Sequence, residues 1–263
     1  TTESTGDHIT LGTADLEDAI TLSTTNTSNF TLDNVGQAVI LAAGTVNGAL
    51  SVTTDDTITQ TGALTVTGTS LFHTSGGNDK AITLDEANSL QGAITFTTAT
   101  TSANNAAHIN LNNGSRAISL AGFTTEGNLT LRTTDTSDFQ IPAHEVNGTL
   151  SVTTAGAITQ AGVLTVTGDS AFTSTGSDKT ITLGSANVLT GDVTLSTAGT
   201  SGNVTIDNGT NALMLQGTVL GNLTVLNENT IGDSDTLKVT GTSSFTTEST
   251  GDHITLGTAD LED

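Results

Sequence analysis

The chain has no cysteine, no tryptophan and no tyrosine, and a single proline, Pro142, among 263 residues. Without cysteine, neither disulfide staples nor thiol chemistry is available. Lysine and arginine together number five against 27 acidic side chains, for a formal net charge of −22. That scarcity of cations argues against nucleic acid, whose phosphates draw most of a protein's affinity through cationic side chains. It argues equally against docking on anionic lipid. No apolar run approaches transmembrane length, so direct membrane insertion is not expected, and no signal peptide is visible. A large chain without cysteine and with little lysine suits export in an unfolded state. The expected location is extracellular, at the cell surface.

What is present is equally one-sided. Threonine makes up about a fifth of the chain, with glycine, serine, asparagine and aspartate supplying much of the rest. Threonine, valine and isoleucine favour strands, and glycine, asparagine and aspartate favour tight turns, so the composition predicts an all-β fold of many short strands. Length alone allows one large domain or two ordinary ones.

Repetition organises the whole. Thr1 to Asp18 and Thr246 to Asp263 read TTESTGDHITLGTADLED identically, 245 positions apart. The chain thus reads as one period of a longer array plus the start of the next. Within the period, Ile9-Thr10-Leu11 returns at Ile82, Ile181 and Ile254, at intervals of 73, 99 and 73 residues. A second marker, glycine before a Leu-x-Val or Leu-x-Leu strand, begins at Gly48, Gly127, Gly148 and Gly221. Phe72, Phe172 and Phe245 follow equivalent blocks, which predicts one phenylalanine column. The domain expectation is a single solenoid segment over 1–263, with subrepeats near 9–81, 82–180 and 181–253. The longer middle subrepeat gains most of its excess as one insertion between Leu129 and Leu150, the size of one added coil.

Strand centres fall about every eight to ten residues, so three strands make a coil of about 20–25 residues, the signature of a parallel β-helix. In Leu64-Thr65-Val66-Thr67 and Leu164-Thr165-Val166-Thr167 the aliphatics point inward and the threonines outward. Asn113-Gly114, Asn208-Gly209 and Asp33-Asn34 mark one set of corners; Ala87-Asn88, Ala186-Asn187, Ala14-Asp15 and Ala259-Asp260 mark another. Stacked asparagines at such corners are expected to form an amide ladder. Pro142 belongs at a turn of the inserted coil. A string of immunoglobulin-like sandwiches is the rival, but 73 residues is too short for one and no linker separates the units.

The strings GNLTV (221–225), GALTVTG (62–68), VLTVTGDSAF (163–172) and VTIDNGTNALMLQG (204–217) resemble the repeat regions of filamentous-haemagglutinin-like surface proteins. These are very long bacterial β-helical adhesins and exoproteins, often secreted through an outer-membrane partner. The resemblance covers the whole chain in repeat style, and departs from the best-known members in longer coils without regular Ala-Gly-Gly turns. It implies an extracellular fibre or stalk and carries over no binding residue.

Candidate chemistry is sparse. His8 and His253 share a repeat position and read as outward strand residues rather than metal ligands; His73, His108 and His144 share no position with one another. Asp15, Glu17 and Asp18, with their copies Asp260, Glu262 and Asp263, could supply oxygens to calcium, as could Asp55-Asp56, Asp85-Glu86 or Asp233 and Asp235. None of these stretches matches a calcium-loop motif, so solvated acidic turns with weak calcium binding at most are expected. Lys80, Lys179, Lys238, Arg116 and Arg132 are scattered, and no paired-carboxylate, phosphate-loop or nucleophile motif appears. No catalytic or cofactor-binding residue is assigned, and the metal question stays open.

These readings converge on a non-catalytic segment of a fibre, stalk or adhesin shaft, with other copies of itself as the expected partner, end to end or side by side. The alternative is an adhesive module for cell-surface glycans or another cell, for which residues from Arg116 to Pro142 are the best patch. A polysaccharide-processing enzyme and an ice-binding threonine array rank below both.

Overall fold

The computed structural model describes residues 8–76, 80–98, 107–121 and 124–262, the side chains of 124 and 125 excepted. Among them every regular element is a β-strand, and paired strands run parallel. The chain divides into two compact units, Thr1–Thr133 and Thr134–Asp263.

In the first unit each coil visits three stacks in turn. One stack contains Ile9–Ala14, Phe30–Asn34, Leu50–Thr54, Ser70–Thr74 and Ile94–Thr97. The second runs from Val39–Leu41 through Ile58–Gln60, Ile82–Leu84 and Ile109–Asn112 to Leu129–Arg132, and the third joins Gly44–Val46, Leu64–Val66 and Ser89–Leu90. The second unit repeats the plan. Phe139–Ile141, Ile158–Gln160, Ile181–Leu183, Val204–Asp207, Leu223–Asn227 and Ser243–Thr247 form one stack. His144–Val146, Leu164–Val166 and Val188–Leu189 form another, and Leu150–Thr154, Ser170–Ser177, Asp192–Ala198, Leu213–Val219 and Ile231–Val239 a third. Both units are therefore parallel β-solenoids with about three strands per coil. Coil length varies: Leu50 lies opposite Ser70, twenty residues on, whereas Ile82 lies opposite Ile109, 27 residues on.

Alternation sets the core. In the first unit Leu32, Val52, Phe72 and Phe96 are successive partners in one inward column, each fully buried. In the second, Ile158, Ile181, Val204 and Leu223 do the same. Each such side chain contributes about 1.5–3 kcal/mol through burial, and stacking like on like keeps the narrow core filled. The expected phenylalanine column does not form. The Phe72 ring stacks on Phe96 with centroids 5.7 Å apart, Phe172 lies between Val152 and Leu195, and Phe245 lies opposite Val225. A column needs residues one coil apart, and the three aligned phenylalanines are several coils apart.

The glycine marker has a steric cause. A Cβ on Gly48 would lie 2.6 Å from the Ser28 carbonyl oxygen of the preceding coil, too close for any side chain. Gly68, at the same corner one coil on, donates its N–H to the Gly48 carbonyl at 2.9 Å, and a Cβ there would lie 2.6 Å from the Gly48 carbonyl carbon.

Equivalent text does not keep its face. Ile9 pairs with Phe30 in the first stack, whereas its counterpart Ile82 stands in the second with Ile58 and Ile109. In the other unit Ile181 pairs with Val204, but its counterpart Ile254 pairs with Ile231 in a different stack. A 73-residue subrepeat is thus not a whole number of coils.

Candidate functional site

The most elaborate polar geometry lies at the corners. Asn88 is 1 % exposed. Its Oδ1 accepts the Leu64 N–H of the preceding coil at 2.8 Å and the Gln60 Nε2 at 3.0 Å. Its Nδ2 donates to Gln60 Oε1 at 2.9 Å and to the Asn112 carbonyl of the following coil at 3.0 Å. Asn187 repeats the arrangement with Leu164, Gln160 and the Asp207 carbonyl. Asn113 and Asn208 instead bond both main-chain groups of one residue, Leu90 and Leu189 respectively. Gly114 and Gly209 follow them at φ +54° and +56°, where a side chain would be strained. These amides supply the partners that a turning chain cannot offer the strand below. An amide-to-amide asparagine ladder is not what forms: the coil beneath Asn88 presents the Leu64 main chain and the Gln60 side chain.

Several turn carboxylates accept main-chain N–H groups of a neighbouring coil. Asp55 accepts the Gly36 N–H at 2.6 Å, and Asp233 accepts the Gly257 and Thr258 N–H groups and the Thr258 hydroxyl. Asp178, itself at φ +60°, accepts the Thr200 and Ser201 N–H groups. These donors hold the Asp178 carboxyl below the usual carboxylate range, led by the Thr200 N–H; for Asp233 the Thr258 hydroxyl leads. Asp56 is held low chiefly by the Lys80 ammonium, 3.0 Å away, and then by the Thr57 N–H. Asp235 accepts the Thr236 N–H, and the Asp85 main-chain carbonyl accepts Asn112 Nδ2. Among the described residues no three histidine, aspartate or glutamate side chains gather as a metal ion would require. Asp263 lies outside the described residues.

Three cations, Lys80, Lys238 and Arg116, bond side chains of neighbouring coils. Lys238 lies 2.9 Å from Glu262 and 3.1 Å from Asp260, which raise its pKa in that order. Arg116 donates from Nε to the Ser89 hydroxyl at 3.3 Å, and its carbonyl accepts the Thr133 hydroxyl at 2.7 Å. Of the patch from Arg116 to Pro142, residues 122 and 123 lie outside the described ones; Pro142 follows Phe139–Ile141 in a turn, as expected.

Two histidine roles escaped the sequence reading. His8 Nδ1 accepts the Asn29 N–H at 3.0 Å and His108 Nδ1 the Asn128 N–H at 2.9 Å, so these two do share a position. The signal was there: His8-Ile9-Thr10-Leu11 and His108-Ile109-Asn110-Leu111 follow one pattern. His144 takes an inward position opposite Leu164 and is 8 % exposed. Burial lowers its pKa from 6.5 to about 4.

One family model, described as repeats of unknown function (DUF5649), matches three times, at residues 27–97, 126–196 and 201–261. No curated protein and no solved structure matches the chain.

Proposed function

We propose that this chain, which belongs to the family of repeats of unknown function (DUF5649), is a non-catalytic shaft segment of a long extracellular fibre, stalk or adhesin. The observation that carries the reading is where its polar groups go. Buried amides such as Asn88 and Asn187 tie each coil to both neighbours, and turn carboxylates such as Asp233 cap the main chain of the next coil. Side chains of a kind that elsewhere do chemistry are here engaged between coils. Length then scales with repeat number, as in other solenoids, and the acidic surface keeps a long polymer soluble. Its partners are further copies of the same repeat, and its place is the cell surface, as the resemblance to filamentous-haemagglutinin-like proteins implies.

Gold-labelled antibodies against the 245-residue period, applied to intact source cells, test this reading. Label along surface fibres is the expected result. Label confined to the cell interior overturns it.

A further inference from the structure

One stretch of the repeat departs from the coil plan. Ile58–Gln60 and Leu64–Val66 lie in different stacks, with the corner Thr61-Gly62-Ala63 between them, and Ile158–Gln160 and Leu164–Val166 do the same. The equivalent Ile231–Val239 instead runs on within a single stack. Leu215 lies opposite Asp233 and Gly217 opposite Leu237, so Gln216 alone faces Ser234, Asp235 and Thr236. What is a corner elsewhere becomes an exposed arch here, a bulge that re-aims its side chains. Val193, Leu195, Leu215 and Leu237 are buried beneath it. The arch therefore stands on the outward face of the stack, and coils added above or below do not cover it.

Beside the arch lies an open hollow of about 370 Å³, lined by Thr194, Gln216, Gly217, Asp235 and Thr236. A Cβ on Gly217, at φ +112°, would run into the Leu195 carbonyl oxygen, so the floor stays bare. Gln216 Nε2 donates to Thr194 Oγ1 at 3.0 Å, one coil back, which leaves the amide oxygen to accept. Asp235 Oδ1 accepts the Thr236 N–H at 2.7 Å, and its Oδ2 takes no hydrogen bond among the described residues. Lys238, on the same strand, is already held by Glu262 and Asp260. The hollow thus presents acceptors without an internal cation to meet them.

That balance selects the ligand. A guanidinium carries only donors, five N–H groups in a planar fork that meets a carboxylate through two parallel bonds. It is also less strongly hydrated than an ammonium. A neutral sugar would need donors and an apolar platform, and the lining has no aromatic ring. An anion would meet Asp235 on a chain of net charge −22, whose field instead draws cationic partners in. We infer that this hollow binds an arginine side chain presented by a basic segment of a partner protein. The Asp235 carboxylate takes two guanidinium N–H groups, Gln216 Oε1 a third, and the aliphatic stem lies over Gly217.

Nuclear magnetic resonance on the ¹⁵N-labelled full chain, titrated with Nα-acetyl-arginine amide, tests the inference. The main-chain signals of Gln216, Gly217 and Thr236 are expected to move together and saturate. Asp235→Asn is expected to weaken binding about tenfold, as loss of a charge-assisted pair does. Glu145→Gln, which removes the same charge at an exposed strand position, is expected to leave binding unchanged. Nα-acetyl-lysine amide is expected to bind roughly fivefold more weakly, since a point charge cannot use both carboxylate oxygens in parallel. Circular dichroism checks that both variants keep their strand content. Unchanged binding by Asp235→Asn, or signals moving evenly over the whole acidic surface, overturns the site. So does the absence of any shift at about 10 mM ligand. Equal binding of the lysine derivative or of methyl glucoside overturns the guanidinium assignment.

Discussion

The side-chain amides of Gln60 and Asn88 hold each other through two reciprocal hydrogen bonds, of 3.0 and 2.9 Å, across 28 residues of sequence. Gln160 and Asn187 repeat the pair at 2.9 and 3.2 Å. In both, the asparagine also takes a main-chain N–H from the coil below and gives an N–H to the coil above. The pair therefore fixes how one coil lands on the next, which a uniform stack of valines and isoleucines does not do by itself.

Replacing Asn88 by alanine strips these bonds and leaves the Leu64 N–H and the Gln60 amide without their partner. Buried polar groups left unmatched cost about 1–3 kcal/mol each, so Asn88→Ala is expected to lose about 3 kcal/mol in urea denaturation. Asn88→Asp keeps the acceptor for the Leu64 N–H but sets a buried carboxylate against Gln60 Oε1 and the Asn112 carbonyl, and is expected to lose at least as much.

Gly68 tests the corner. A Cβ there meets the Gly48 main chain at 2.6 Å, whereas one on Gly184 meets nothing within 4 Å. Gly68→Ala is expected to cost about 1–3 kcal/mol, the usual penalty for forcing atoms into packed space. Gly184→Ala is expected to stay within about 0.5 kcal/mol. Thermal denaturation of the two variants side by side gives the comparison.

Phe172, fully buried between Val152 and Leu195, tests the stacked core. Phe172→Ala is expected to lose about 3–5 kcal/mol, since the surrounding coils can close the cavity only in part. Thr205→Ala, on an exposed strand position, is expected to change stability by less than about 0.5 kcal/mol. Equal losses at the two positions would contradict the inward–outward assignment.

How much of this was legible follows from what repeats. The period-two alternation of Leu64-Thr65-Val66 and the corner glycines announced short stacked strands, because burial and turn geometry act locally on each coil. The partner of Asn88 was not legible, since Gln60 lies 28 residues away and only coil length decides which side chains meet. The same ignorance produced the false phenylalanine column. Nor did the text reveal that Ile9 and Ile82 occupy different faces. The identity of the two eighteen-residue blocks was plain, but that Ile9 pairs with Phe30 after it and Ile254 with Ile231 before it needed the structure.

His144 makes stability pH-dependent. Its folded pKa, about 4, lies below the ordinary 6.5, so both states are neutral above pH 6.5 and the histidine costs nothing there. As pH falls from 6.5 to 4 the unfolded chain takes up a proton that the folded chain refuses, and stability is lost. At about 1.4 kcal/mol per pH unit the loss approaches ~3 kcal/mol. His144→Leu, matching Leu64 and Leu164 at the same strand position, is expected to flatten the urea midpoint between pH 6.5 and 4. Carboxylates such as Asp178 and Asp233, whose folded pKa values are depressed, take their stability away only at lower pH, as they protonate.

Electron cryo-microscopy of the native assembly tests the central claim most directly. A continuous rod with an axial repeat of about 4.8 Å, the spacing of paired strands, and no gap between successive 245-residue periods is the predicted result. Beads joined by linkers, or an assembly without that axial repeat, would contradict the account.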